Sequence, residues 1–302
     1  MIDDAVVQNP IESKLRIVVL GAGGRLGAAL AREYAVEHEV TGFTHAQLDL
    51  AQLDLLRSTL DPLPCDVLIN AAALTNVDYC EDHREEAFRL NAEAPRLLAE
   101  ICREKGSRFI HLSTDYVFDG AKRAPYSEAD PAEPISVYGE SKRAGELQVM
   151  DENESALVIR VSWVFGPDRP SFVDAILKKA RTEAEVAAVA DKFSTPTYTP
   201  DIAALLRPLF RPGTAYGILH LANRGECSWQ EYAQWALDCC HKFGVAMEAK
   251  SVGATSLGQM KNFVARRPVY TVLGTEKYER LTGNAPRDWH EAVADYIRDH
   301  YR

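Results

Sequence analysis

The chain has 302 residues, of which 46% are hydrophobic and 26% charged, values typical of a soluble globular protein long enough for two domains. Its 44 acidic and 34 basic residues give a formal net charge of −10, which argues against binding to nucleic acid or to an anionic membrane surface. The N-terminus has no signal-peptide pattern, no apolar run could span a bilayer, and the six cysteines show no C-x-x-C spacing. We therefore expect a cytoplasmic protein with reduced thiols.

Short β-rich runs alternate with helical stretches in the first half of the chain. The predicted strands are 15–21, 38–44, 66–72, 108–114 and 156–166. A long amphipathic helix is predicted from about 77 to 105. Nearly continuous apolar strands separated by helices predict a doubly wound parallel α/β sheet of the Rossmann type.

The second half is less regular and predicts a smaller α/β unit interleaved with the last strands of the sheet. Further strands are predicted at 185–190 and 217–223, and Ser228 and Glu231 form a capping box before an amphipathic helix. The predicted division is a dinucleotide-binding domain of 15–165 and about 188–224, a C-terminal substrate-binding domain of about 166–187 and 225–302, and an N-terminal extension of 1–14.

The first predicted strand runs into the glycine-rich sequence GAGGRLG. Two residues separate Gly21 from Gly24 and Gly24 from Gly27, and Leu26 stands where a G-x-G-x-x-G pattern has its last glycine. The spacing fits the G-x-x-G-x-x-G variant, whose glycines let the backbone approach a pyrophosphate at a helix N-terminus. Because this turn follows a strand and opens a helix, it predicts dinucleotide binding.

The type of cofactor depends on the residues after the second strand. Sites for NAD usually place an acid there, whereas this chain has 44–47 (Thr-His-Ala-Gln) and its first acid, Asp49, comes late. Arg25 lies inside the glycine loop, where a guanidinium could meet a 2′-phosphate; its alternative role is that of a solvent-exposed first-turn residue. The pattern favours NADPH and leaves NADH open.

Hydroxyl, phenol and ammonium groups follow the fourth strand. Ser113 and Thr114 end this strand, and since successive strand residues point to opposite faces, only one of them should reach a substrate carbonyl. Tyr138 and Lys142 are four residues apart in the next predicted helix and therefore share a face. Such a set can reduce a ketone: Tyr138 donates the proton, and the charge of Lys142 lowers the pKa of the phenol.

These motifs, in this order, resemble the extended short-chain dehydrogenase/reductase family. The resemblance narrows to the dTDP-4-dehydrorhamnose reductase family through the segments 69–81, 113–120, 137–146, 160–166, 191–203 and 266–283. The likeness covers roughly residues 15 to 298.

The resemblance implies a set of site residues. Thr114 would be the hydroxyl of a triad with Tyr138 and Lys142, in preference to Ser113. The implied cofactor contacts are Gly21, Gly24, Arg25, Leu26, Gly27, Asp49, Leu50, Ala71, Ala72, Ala73, Tyr138 and Lys142. The implied substrate contacts are Thr114, Tyr116, Tyr138 and Trp163, with Lys192 and Arg267 either meeting the nucleotide diphosphate or serving as ordinary surface charges. Asn91 matches a buried asparagine of the long helix.

The implied function is the NADPH-dependent reduction of the C4 ketone of dTDP-4-dehydro-L-rhamnose to dTDP-L-rhamnose. Two alternatives remain: a reductase of another nucleotide-linked 4-keto-6-deoxy sugar, and a non-catalytic subunit resembling the β subunit of methionine adenosyltransferase. Some family members use Mg²⁺ through glutamates at a dimer interface. This chain has Ala28 and Ala29 just after its third glycine, so we expect no metal, and a homodimer stays open.

Overall fold

The computed structural model describes residues 14–211 and 213–301. Apart from Lys14, the predicted N-terminal extension lies outside the described residues. No helix within the two described ranges is long and apolar enough to cross a membrane.

Strands and helices alternate along the described residues. The strands are β1 (Arg16–Leu20), β2 (Glu39–Phe43), β3 (Val67–Asn70), β4 (Arg108–Thr114), β5 (Leu157–Val161), β6 (Val164–Phe165), β7 (Val186–Val189), β8 (Phe193–Ser194), β9 (Thr197–Tyr198), β10 (Gly217–His220), β11 (Cys227–Ser228) and β12 (Val252–Thr255). The helices are α1 (Arg25–Tyr34), α2 (Leu53–Leu60), α3 (Val77–Asp82), α4 (Arg84–Phe88), α5 (Ala94–Lys105), α6 (Val137–Glu152), α7 (Phe172–Ala180), α8 (Thr199–Leu206), α9 (Trp229–Lys242), α10 (Glu276–Thr282) and α11 (Trp289–His300).

One six-stranded parallel sheet forms the centre of the molecule, in the order β2–β1–β3–β4–β5–β10. Alternate side chains of β1 enter two different cores. Ile17 and Val19 pack on the side of α1 and α8, and Val18 and Leu20 pack on the side of α2 and α5. Because apolar side chains project from both faces of the sheet, helices cover both faces. The predicted doubly wound α/β fold is confirmed.

A smaller unit follows the sheet. Strand β7 pairs with β12 and β8 pairs with β11, and α7, α9 and α11 share one hydrophobic core beside them. The predicted capping box opens α9: Glu231 N donates to Ser228 Oγ at 3.1 Å, and Ser228 N donates to Glu231 Oε2 at 2.7 Å. The predicted domain boundary near residue 188 falls within β7, which lies outside the main sheet. Helix α10 returns to the main sheet, where Tyr278 is buried in its core.

The prediction of one long helix in the first half is wrong. Helix α3 ends at Asp82, because the φ of −128° and ψ of 50° at His83 are not helical. A π-helical turn at Arg89–Glu93 separates α4 from α5. This turn carries the buried Asn91 and brings its carbonyl against α6 at Gly145, where a Cβ would overlap it. The π-helical turn and the glycine at position 145 together let this segment lie close against α6.

The predicted fifth strand is also divided. Strand β5 ends at Val161, and β6 begins at Val164 in a separate pair with β9. Between them Trp163 has a φ of 37°, a left-handed conformation that is uncommon for a bulky residue and turns the chain out of the sheet.

Candidate active site

A cavity of about 950 Å³ lies outside the carboxyl ends of β1, β3 and β4. The chain moves from β1 to β2 on one side and then places β3 on the other side of β1, which makes this edge the switch point where doubly wound sheets bind ligands. The cavity wall includes most of the predicted site residues: Gly21, Gly24, Arg25, Leu26, Leu50, Ala71, Ala72, Ala73, Thr114, Tyr116, Tyr138, Lys142 and Trp163.

The glycine loop forms one end of this cavity and fits a dinucleotide. Gly21 has a φ of 79°, and a Cβ there would lie 2.8 Å from the backbone N of Ala72. Helix α1 begins after Gly24, and no side chain caps its first amides. Gly27 lies behind the wall, where a Cβ would overlap the carbonyl O of Gly21, so this glycine lets α1 pack close to the loop. The start of α1 thus presents uncapped backbone amides to the cavity, as a pyrophosphate requires.

Arg25 lines the cavity and also makes contacts that the sequence did not predict. Its guanidinium donates to the carbonyl oxygens of Val164 at 3.2 Å, Arg169 at 3.0 Å and Pro170. These hydrogen bonds connect the segment after β5 to the glycine loop. Burial lowers the pKa of the guanidinium. Three of its five N–H donors are thus bonded to carbonyls, which leaves two for a ligand, and the predicted contact with a 2′-phosphate stays a prediction.

The end of β2 forms the next part of the wall through Thr44, His45 and Ala46. The backbone amides of Gly21 and Ala22 both donate to the carbonyl of Phe43 at 2.9 Å, which joins this strand end to the glycine loop. The predicted cofactor contact Asp49 does not line the cavity, because its carboxylate turns back to accept from Ala51 N at 2.9 Å.

Thr114, rather than Ser113, presents its hydroxyl as a triad member would. Ser113 lies on the face of β4 that meets α6, and its hydroxyl donates to the buried Glu146 Oε1 at 2.7 Å. Thr114 points the other way, accepts from Tyr116 N at 3.2 Å and donates to Asp115 Oδ1 at 3.1 Å. The alternation of strand side chains explains why only one of the two hydroxyls is available.

Tyr138 lies in the first turn of α6, which is capped by Ser136 through a bond from Gly139 N at 3.3 Å. Burial raises the pKa of the phenol well above its usual value, and a hydrogen bond with Thr114 opposes the shift. The net shift of this pKa runs opposite to the lowering expected from Lys142, because burial is its largest cause. A phenol that keeps its proton at neutral pH is the form that can donate it.

Lys142 lies one turn further along α6 and is fully buried. Its Nζ donates to the carbonyl of Leu112 at 2.7 Å and lies 3.3 Å from His111 Nε2. Burial lowers the pKa of Lys142 to about 8, and the negative charge of Glu146 opposes this shift. His111 is itself buried, and burial together with Lys142 moves its pKa well below the usual value, so the imidazole stays neutral.

Aromatic side chains line the substrate side of the cavity. Tyr116 packs edge-on against Tyr138, with ring centroids 5.7 Å apart. The indole Nε1 of Trp163 is buried and has no hydrogen-bond partner among the described residues. A buried donor without a partner is costly, and a bound sugar oxygen would satisfy it.

Lys192 and Arg267 do not line the cavity. The Nζ of Lys192 is fully buried, bonds the carbonyl of Pro268 at 2.5 Å and lies 5.0 Å from the ring centroid of Tyr116. Arg267 forms a two-point ion pair with Asp78, with Nη2 2.7 Å from Oδ2, so its charge is already neutralised. Neither residue is therefore an ordinary surface charge, and their contact with a nucleotide diphosphate stays a prediction.

Polar and charged residues of the site that the sequence analysis missed include His111, Asp115 and Arg169. Strand alternation could have found His111, since it shares the face of Ser113 that meets α6. Asp115 is held by Ser194 and Thr271 from distant segments, and Arg169 is placed by a loop after β6, so neither had a local signal.

Comparison with known proteins identifies the family. A model of the RmlD substrate binding domain matches residues 15–302. The chain belongs to the RmlD substrate-binding domain family. A probable dTDP-4,6-dihydroxy-2-methyloxan-3-one 4-ketoreductase of Streptomyces antibioticus is 36% identical over 94% of this chain and 95% of its own length. A dTDP-4-dehydrorhamnose reductase of Aggregatibacter actinomycetemcomitans is 33% identical, over 92% of this chain and 97% of its own.

Solved structures of the RmlD family share the fold. The crystal structure of a dTDP-4-dehydrorhamnose reductase from Bacillus anthracis in complex with NADP superposes with a TM-score of 0.88 at 29% identity, covering 95% of this chain and 99% of that one. The family predicted from the sequence motifs is therefore confirmed, as is the prediction of an oxidoreductase.

Proposed function

We propose that this protein reduces the C4 ketone of dTDP-4-dehydro-L-rhamnose to dTDP-L-rhamnose with NADPH. The observation that carries the proposal is that one cavity joins the glycine loop to Thr114, Tyr138 and Lys142. The names of the Aggregatibacter and Bacillus relatives, and the NADP bound to the latter, support this choice of sugar and cofactor.

The side chains divide the chemistry among them. When bound in the cavity, NADPH supplies the hydride that the ketone carbon receives. Tyr138 gives its phenolic proton to the ketone oxygen, so that one C–H bond and one O–H bond form and the carbonyl becomes a hydroxyl. Thr114 offers a second hydroxyl beside the phenol, and Lys142 in its charged form stabilises the phenolate that remains.

The residues around the triad serve orientation. The neutral His111 and the carbonyl of Leu112 fix the position of the Lys142 amine. Trp163 presents its unpaired indole N–H, and Tyr116 packs beside the reacting phenol, so both can position the sugar. The aromatic walls also exclude water from the ketone.

A second candidate substrate is another nucleotide-linked 4-keto-6-deoxy sugar. The relative from Streptomyces antibioticus, 36% identical, is named a 4-ketoreductase of a different dTDP-linked sugar. The chemistry would be the same, and only the fit of the pocket would differ. The regulatory-subunit alternative is less favoured, because a scaffold has no need of a buried lysine and tyrosine beside an available hydroxyl.

The test is turnover with freshly prepared dTDP-4-dehydro-L-rhamnose, followed by loss of the nicotinamide absorbance of NADPH and by chromatography of the sugar product. We expect NADPH-dependent formation of dTDP-L-rhamnose, and none with Tyr138→Phe. If NADPH binds tightly and another dTDP-linked 4-keto sugar is reduced while this one is not, that other sugar would be assigned as the substrate. Binding without turnover of either sugar would favour the regulatory subunit.

A further inference from the structure

The cationic side chains of the cavity wall differ in how many of their N–H donors are already bonded to other groups. Those that line it among the described residues are Arg25, His45, Lys142 and Arg169. Lys142 lies deep, at the catalytic end, and Arg25 is bonded to three carbonyls. His45 is largely exposed and lies 3.8 Å from the carboxylate of Asp49. Arg169, with only its Nε bonded, is the arginine at the glycine-loop end that keeps the most N–H donors for a ligand.

The backbone around Arg169 is pinned to α1. Arg25 Nε donates to the carbonyl of Arg169 itself at 3.0 Å, and Arg32 Nη1 pairs with Asp168 Oδ1 at 2.5 Å. Because Asp168 is paired with Arg32, its charge does not cancel that of its neighbour. Two arginines of one helix thus fix the position from which the Arg169 side chain starts.

The Arg169 side chain reaches back over the glycine loop. Its Nε donates to the carbonyl of Gly23 at 2.9 Å, and its two Nη groups make no hydrogen bond or ion pair with the described residues. Gly23 also adjoins the end of β2: a Cβ on Gly23 would lie 3.3 Å from Thr44 Cγ2. The free end of the guanidinium therefore lies beside the strand end where a Rossmann-type fold holds the adenosine ribose.

We infer that Arg169 binds the 2′-phosphate of NADPH and sets the preference of this protein for NADPH over NADH. The inference rests on the proposed function only in so far as the cavity takes a dinucleotide. A planar guanidinium with Nε anchored offers both Nη groups to phosphate oxygens in a fixed orientation. The wall at the end of β2 has Thr44, His45 and Ala46 where sites for NAD usually place an acid.

The variant Arg169→Met tests the inference by cofactor binding alone. Calorimetric titration without sugar should show NADPH binding weakened by about 10- to 100-fold, as expected for the loss of charge-assisted bonds, and NADH binding changed less than about twofold. Arg169→Lys keeps the charge and should retain an intermediate preference. Adenosine 2′,5′-bisphosphate, the probe that isolates the 2′-phosphate, should lose affinity where 5′-AMP does not.

Arg89→Met is the matched control. Arg89 also donates from Nε to a backbone carbonyl, that of Ala51, at 2.9 Å, but it does not line this cavity. If Arg169→Met weakened the binding of NADPH and NADH equally, the inference would be overturned. Arg169 would then contact the pyrophosphate or only hold the glycine loop in place. Unchanged NADPH affinity would overturn it as well. Because no sugar is present, a wrong choice of substrate does not alter either result.

Discussion

Burial moves the pKa values of two neighbouring catalytic candidates in opposite directions. It raises that of the Tyr138 phenol and lowers that of the Lys142 ammonium to about 8, because in both cases the neutral form is favoured away from water. The pair therefore starts with a protonated phenol and a lysine that is charged at neutral pH but close to losing its proton. Both states suit the reduction of a ketone.

The first residue-scale prediction concerns the proton donor. Tyr138→Phe keeps the ring in its buried place but removes the proton, so kcat should fall by about 10²- to 10⁴-fold. NADPH affinity measured by titration should stay the same, because the glycine loop is untouched. Tyr216→Phe, at a largely exposed ring, is the control. Turnover of Tyr138→Phe equal to that of the control would contradict the role of the phenol.

The second prediction concerns pH. Because burial holds the pKa of Lys142 at about 8, below its ordinary value, the ammonium is present below that pH and is lost as the pH rises through it. The rate constant kcat/KM should therefore fall above about pH 8 in the native protein. Lys142→Met should be slow at every pH and should lack this step, whereas Lys178→Met, at an exposed lysine of α7, should keep it. A profile that stays flat through pH 8 in the native protein would rule out the charged lysine.

At the scale of one element, helix α6 had a sequence signal for its chemistry but not for its packing. The spacing of Tyr138 and Lys142 predicts a shared face, and both are indeed buried towards the cavity. The contact of Gly145 with the carbonyl of Asn91 could not be predicted, since it depends on a π-helical turn in another part of the chain. The periodicity of a sequence describes one helix alone. It contains no information about a packing partner from another part of the chain.

Gly145 therefore provides the element-scale prediction. Gly145→Ala places a Cβ into the Asn91 carbonyl and should lower the free energy of unfolding by about 1–3 kcal/mol through overpacking. Gly258→Ala is the matched control, because a Cβ there meets no atom within 4 Å and the residue has no positive φ. Urea unfolding of the two variants gives the comparison. If Gly145→Ala were as stable as Gly258→Ala, the close approach of α6 to the π turn would be excluded.

At the scale of the whole molecule, features that depend on neighbouring residues could be predicted from the sequence. Contacts between distant segments could not. The alternation of strands and helices was enough to predict the doubly wound sheet, and the glycine spacing was enough to predict the tight turn before α1. The pairing of Arg267 with Asp78 joins segments 189 residues apart, and the bonds of Arg25 reach residues about 140 positions away. Such partners decide whether a cation is free for a ligand, and no local pattern reveals them.

Asp115 is the clearest contact between the two halves of the chain. Its buried carboxylate accepts from Thr114 Oγ1, next to the reacting phenol, and from Thr271 Oγ1 at 2.5 Å and Ser194 Oγ at 3.2 Å, both in later segments. Burial raises its pKa, and the charge of Lys192 opposes the shift. The Thr114 hydroxyl, which we propose to be catalytic, is thus linked through one carboxylate to the C-terminal segments.

Thr271→Val tests this dependence while keeping the shape of the side chain. Removing a hydrogen bond to a buried carboxylate should lower the free energy of unfolding by about 1.5–3 kcal/mol, and kcat should fall because Thr114 loses its fixed neighbour. The Kd for NADPH should change little, since the glycine loop is at the other end of the cavity. Thr41→Val, on the exposed face of β2, is the control. Equal stability and equal kcat in the two variants would show that the catalytic hydroxyl is held without the C-terminal segments.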